Sequence, residues 1–127
     1  MFATDIASRG LDFPAVDWVV QLDCPEDVNT YIHRVGRTAR YKAKGNALLF
    51  LLEGEAAMAK KLEAHNIQLK KLMAKTQHQL TIQPVLAKLN AENTDLQHLA
   101  KKSCSSYLKC VHLMKDKQVF NVKNIDL

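Results

Sequence analysis

Cysteine is sparse in this chain, and what little there is excludes two architectures. Cys24, Cys104 and Cys110 are too few, and odd in number, for a disulfide framework. None stands in a C-x-x-C pair, which argues against structural zinc, and a reducing intracellular compartment fits such usage best. No apolar run approaches membrane-spanning length, and Asp5 and Arg9 stand where a secretory leader needs an apolar core. No internal repeat or low-complexity segment is present. The phosphate-cradling pattern Gly-x-x-x-x-Gly-Lys-Ser/Thr is also missing. Arginine is the last scarcity. Of 18 basic residues only Arg9, Arg34, Arg37 and Arg40 are arginine, and none lies beyond position 40.

What is present is an ordinary globular composition, 47% hydrophobic and 24% charged, in 127 residues. That length suits one modest domain, or an incomplete one with an appendage. The net charge of +5 is uneven. Residues 1–52 hold six basic and six acidic side chains, whereas residues 53–127 hold twelve and seven. The second half therefore has either an anionic partner or a lysine-rich solvated face.

Periodicity gives the organisation. "MFATD" reads as the end of a buried strand. "DWVVQLD" (17–23) and "NALLFLL" (46–52) are short apolar runs, as expected for strands covered on both faces. Between them Val28, Tyr31, Ile32 and Val35 form one helical stripe. Strand, helix, strand predicts a parallel α/β layer. "EGEAAMAKKLEAHN" (53–66) reads as the next helix, acidic in its first turn. Residues 67–75 serve as a linker. Residues 76–127 then read as a small helical unit, with a short stripe at Ile82, Val85, Leu86 and Leu89. A longer helix follows, opened by a Thr94–Gln97 capping box, with Leu96, Leu99, Ala100, Ser103, Tyr107, Cys110, Val111 and Met114 on one face.

The arginines are concentrated in "YIHRVGRTAR" (31–40). A guanidinium matches phosphate oxygens two at a time, whereas lysine is a mobile point charge. On a continuous helix, Arg34, Arg37 and Arg40 drift by only about 60° per step and share a direction, clear of the apolar stripe. "ATDIASRGLDFP" (3–14) follows the first expected strand, where parallel sheets place their ligands. Thr4 and Arg9 suit phosphate, and Gly10 permits close backbone approach. Asp5 and Asp12 repel phosphate; such carboxylates accept from sugar hydroxyls or orient an arginine. Trp18 reads as packing, Asp23 and Cys24 as a strand end.

"ATDIASRGLD" followed by "HRVGRTAR" resembles motifs V and VI of the DEAD-box RNA helicases, in the right order and separation. "VDWVVQLDCPEDVNTYI" resembles the segment joining them, and "GNALLFLL" the strand beyond. The resemblance covers about residues 1–66 and implies a truncated second RecA-like domain: a partial parallel α/β sheet, followed by an all-helical extension. It implies ATP and single-stranded RNA as ligands, gripped between two domains. Arg34 and Arg37 match the residues that reach ATP phosphates, Arg37 as the arginine finger. His33 matches a residue linking nucleotide, RNA and the partner domain. Asp12 matches the acceptor for the ATP ribose, while Thr4, Arg9 and Gly10 match the RNA-facing loop. Mg2+ would accompany ATP on the first RecA-like domain.

Neither that domain's phosphate loop nor a D-E-A-D run occurs in these residues. The expectation is a carboxy-terminal piece of a helicase, with Met1 an internal methionine, inactive as an ATPase by itself and exposing unpaired sheet. The alternative is a non-catalytic RNA- or protein-binding fragment. The tail from about residue 76 resembles the helical extension of DEAD-box proteins associated with ribosome assembly, implying a nucleolar location and pre-ribosomal protein partners. Lys101, Lys102 and Lys109 in that tail read first as a solvated face, with added RNA affinity as the sharper hypothesis.

Overall fold

The structure is a computed structural model that describes residues 1–8, 14, 16–38, 45–73 and 80–125. It is mixed α/β, and the chain gathers into two compact units. One comprises residues 1–69 together with 116–127, the other residues 70–115.

The first unit is built on β1 (Trp18–Gln21) and β2 (Asn46–Leu49), paired in parallel with Trp18 opposite Asn46 and Gln21 opposite Leu49. Helix α1 (Val28–Val35) lies between them in sequence. Asp27 starts it, its carboxylate accepting from the Thr30 amide at 2.7 Å, which satisfies one orphan donor of the first turn. α1 buries Thr30 and Tyr31, half-buries Val28 and Val35, and leaves Ile32 exposed. It ends at Gly36, and residues 36–38 continue as a tight turn with bonds from Arg37 N to Arg34 O and Thr38 N to Val35 O. The expected shared helical face of three arginines therefore does not form. Arg34 sits on α1, Arg37 lies past its end, and Arg40 falls outside the described residues.

Two other expectations are corrected. Residues 1–4 are not a strand, and Met1 and Phe2 are exposed. No neighbouring strand among the described residues pairs with them, and an extended segment without a ladder leaves its backbone groups to water. Nor is the sheet covered on both faces. Gln21 is buried and Val19 half-buried, while Trp18 and Val20, on the opposite side of the pleat, are exposed.

The 3₁₀ turn Glu53–Glu55 leads into α2 (Ala56–Ala64), whose Met58 and Leu62 are among the most buried residues. Asn66, at φ 62°, takes the left-handed position after α2. Its amide donates to Glu63 O, and that of Ile67 to Leu62 O, satisfying carbonyls the helix leaves open. Residues 116–125 belong to this unit, with Val119 and Phe120 buried and Asp116 paired to Lys61 of α2.

The second unit holds α3 (Gln83–Glu92, with Pro84 in its first turn) packed on α4 (Thr94–Leu113). Asn93 caps α4: its Oδ1 accepts from the amides of Asp95 and Leu96 at 3.0 and 3.1 Å. The cap thus precedes the expected Thr94–Gln97 box by one residue. Of the long apolar stripe expected on α4, only Val111 is buried.

Candidate functional site

Arg34 organises the region where the two motif-bearing segments meet. Its Nε and Nη2 donate to the two oxygens of Asp5 at 2.6 and 2.8 Å, a bidentate pair. Nη1 donates to Gln21 Oε1 at 3.3 Å and to the Asp23 carbonyl at 2.9 Å. Asp5 opens the short 3₁₀ turn Asp5–Ser8, while Gln21 and Asp23 lie at the carboxyl end of β1. One guanidinium thus ties the loop after Thr4 to α1 and to a strand end, the usual ligand position in parallel sheets. The hydrogen bond donated to Asp5 pushes the Arg34 pKa up further, against the opposing effect of its burial. With five N–H donors on a guanidinium and these four bonds, Arg34 is largely committed within the unit.

Arg37 is half-buried, and its carbonyl accepts from the Val16 amide at 3.2 Å. Beside it Thr38 is buried, its hydroxyl set against the carbonyls of Val16 and Asp17. A Cβ built on Gly45 would stand 2.8 Å from the Thr38 carbonyl carbon, so the chain entering β2 needs glycine there. The turn that carries Arg37 is thereby anchored to both strand entrances.

His33 and Thr4 are exposed, and Thr4 adjoins Asp5. Arg9, Gly10 and Asp12 lie outside the described residues. The structure brings together Asp5, Arg34, Gln21 and Asp23, and places Thr4 next to that cluster. Gln21 was not legible as a participant, although a glutamine inside the apolar run "WVVQ" is the signal that marks it. Its Nε2 is buried without an acceptor among the described residues. Cys24 nearby is buried, and burial pushes its thiol up to about 12, with Glu55 adding to the effect and Arg34 opposing it. It is a packing group and not a nucleophile.

The Arg34 guanidinium, with one donor left, lies against Asp5 beside Thr4, a donor set that fits a phosphate-bearing ligand such as a nucleotide in kind. No group of three or more His, Cys, Asp or Glu among the described residues could hold a metal ion. No described helix is long and apolar enough to cross a membrane.

Residues 1–42 match the family model of the helicase conserved C-terminal domain. Residues 93–127 match that of the ATP-dependent rRNA helicase SPB4-like C-terminal extension. The chain thus carries a segment matching the helicase conserved C-terminal domain, followed by one matching the SPB4-like C-terminal extension, in keeping with its mixed α/β first unit and helical second unit. Along its whole length it is 52% identical to the ATP-dependent RNA helicase DBP4 of Coccidioides immitis and 50% identical to the dbp4 of Aspergillus niger. It is also 50% identical, again over 100% of its length, to the probable ATP-dependent RNA helicase DDX10 of Homo sapiens. The chain spans 14–16% of the length of these relatives.

Proposed function

We propose that this chain supplies the arginine-bearing wall of an ATP-dependent RNA helicase, one that couples ATP hydrolysis to local opening of RNA duplexes in ribosome biogenesis. Arg37 acts as the finger on the transferred phosphoryl group, where charge develops as the bond to the leaving phosphate lengthens. Arg34 reads phosphate with its remaining donor and holds the loop in place. His33 links nucleotide, RNA and the facing domain, and Asp12 accepts from the ATP ribose. Thr4, Arg9 and Gly10 take the RNA backbone and ribose, without reading bases. ATP brings Mg2+, held by a first RecA-like domain that these residues do not include. By the same reading residues 1–66 form the catalytic wall, 67–75 a linker and 76–127 the extension, in a nucleolar protein with pre-ribosomal protein partners.

The observation that carries this proposal is the bidentate Arg34–Asp5 contact, which brings the two motif segments to one strand end. Because most Arg34 donors are used there, the electrostatic work on the phosphoryl group falls to Arg37. Arg37→Lys in a complete protein keeps the positive charge and loses the planar fork. It should abolish RNA-stimulated ATP turnover while leaving RNA binding largely intact; full activity would sink the assignment. Purified 1–127 should itself show no ATPase activity.

A further inference from the structure

The second unit has a charge distribution that the phosphate-facing arginines do not explain. Residues 70–115 contain eight lysines against Glu92 and Asp95 as the only carboxylates, and no arginine. Between Asp95 and Asp116 there is no acidic residue at all. Most of α4 falls in that interval. With about 100° between successive residues, Lys101, His112, Ser105, His98, Lys109 and Lys102 fan across one sector about 100° wide. All six are exposed. Lys101 and Lys109 stand two turns apart, about 12 Å along the axis. The opposite side of the helix carries Leu96, Leu99, Tyr107, Cys110 and Val111, and Val111 is buried.

Two lysines elsewhere in the chain meet carboxylates: Lys61 pairs with Asp116, and Lys88 with Glu92 one helical turn away. Lys101, Lys102 and Lys109 form no salt bridge with a described residue. Like charges gathered on one helical face repel, a cost that a polyanion removes by neutralising them together and releasing its own counterions. The face is broad and lacks arginine forks, which suits a moving sugar-phosphate backbone better than a single fixed phosphate.

From this placement we infer that the Lys101–Lys102–Lys109 face of α4 is a second, sequence-independent binding site for single-stranded RNA phosphate, separate from the motif-bearing unit. The choice of RNA over other polyanions rests on the helicase reading above. Leu96, Leu99 and Tyr107 on the apolar side are exposed while Val111 is buried, so an anionic membrane surface is the competing occupant, and the vesicle arm of the test separates it from RNA.

The test measures binding of the 1–127 chain to a labelled single-stranded oligouridylate as a function of salt. Each phosphate neutralised contributes about 0.7 to the slope of log affinity against log salt for single strands. The variant K101Q/K102Q/K109Q should therefore show a slope shallower by about 2, so that between 50 and 200 mM salt the wild type loses about 16-fold more affinity than the variant. The control K60Q/K117Q/K123Q removes equal charge from the first unit and should leave the slope near wild type. Equal flattening by both variants overturns the proposal, as does an unchanged slope in the α4 variant whose helical content is retained. Failure of the wild type to bind, or its preference for phosphatidylserine vesicles over the oligonucleotide, overturns it too. Arg37→Lys separates the two readings, because it removes turnover in a complete protein without altering this slope.

Discussion

The Arg34 guanidinium and the Asp5 carboxylate meet edge to edge, at 2.6 and 2.8 Å, across 29 positions of sequence. Arg34 is mostly buried whereas half of the Asp5 side chain is exposed, so solvent weakens the pair but does not dissolve it. Asp5→Ala should lower the stability of the first unit by about 1 kcal/mol, and a double-mutant cycle with Arg34→Ala should return a coupling of similar size. Arg34→Lys should behave almost like Arg34→Ala, since an ammonium cannot span both oxygens and the Asp23 carbonyl together. Urea unfolding of the five proteins measures all of this, and additive losses in the cycle would mean that the pair contributes nothing.

The same contact shows how far the sequence could be read. The motifs announced the two segments, and the interval between two apolar runs announced a parallel strand–helix–strand unit. Asp5 as an arginine partner was one of two open readings, and the geometry selects it. The end of α1 was not legible. A 3.6-residue period drawn through residues 31–40 implies a continuous helix, yet the chain turns at Gly36. The turn beyond Gly36 is held by the Thr38 side chain, which reaches the carbonyls of Val16 and Asp17, a tertiary contact that no local pattern encodes. Sheet coverage reads two ways: the apolar runs suggest burial on both faces, the missing strands an uncovered sheet, and the exposed Trp18 and Val20 agree with the second. Alternation cannot distinguish a strand buried on both faces from one whose outer side chains, here Trp18 and Val20, meet solvent. On α4, an apolar stripe predicted an amphipathic helix correctly, but a stripe does not by itself supply a covering partner.

Gly45 should be intolerant of even a methyl group. Thr38 is held from the opposite side by Val16 and Asp17, so its backbone cannot retreat from a new Cβ at 2.8 Å. Gly45→Ala should cost about 1–3 kcal/mol, as overpacking typically does. Because Thr38 adjoins Arg37, the same change should shift the amide resonances of Arg37 and Val16, which share a hydrogen bond. An unaltered melting temperature with unaltered spectra would refute the anchoring.

The three thiols should separate by reactivity. Cys104 and Cys110 are exposed, whereas Cys24 is buried and its thiol is pushed up to about 12. Alkylation requires the thiolate, and a raised pKa keeps Cys24 protonated throughout the neutral range. Iodoacetamide at pH 8 should therefore modify two cysteines in the native chain and all three in urea, as read by intact mass and peptide mapping. Rapid native labelling of Cys24 would contradict its burial.

Asp116 and Lys61 join the returning segment to α2, and their contact makes that junction sensitive to acid. The hydrogen bond from Lys61 holds the Asp116 carboxyl below its usual value of 3.8, against a smaller opposing effect of burial. The folded protein thus binds this proton less readily than the unfolded chain does. Its contribution to stability is fully present well above 3.8 and falls away as the pH drops through that value and then through the lower folded one. Lys61 is partly exposed, which limits the contribution to a few tenths of a kcal/mol, at most about 1. Amide exchange at Val119 and Phe120, buried in the same segment, should report it. Protection there should be lower in Asp116→Asn than in wild type at pH 6, and the difference should narrow as the pH approaches 3. A difference that persists undiminished at low pH would show that the segment is held by its apolar residues alone.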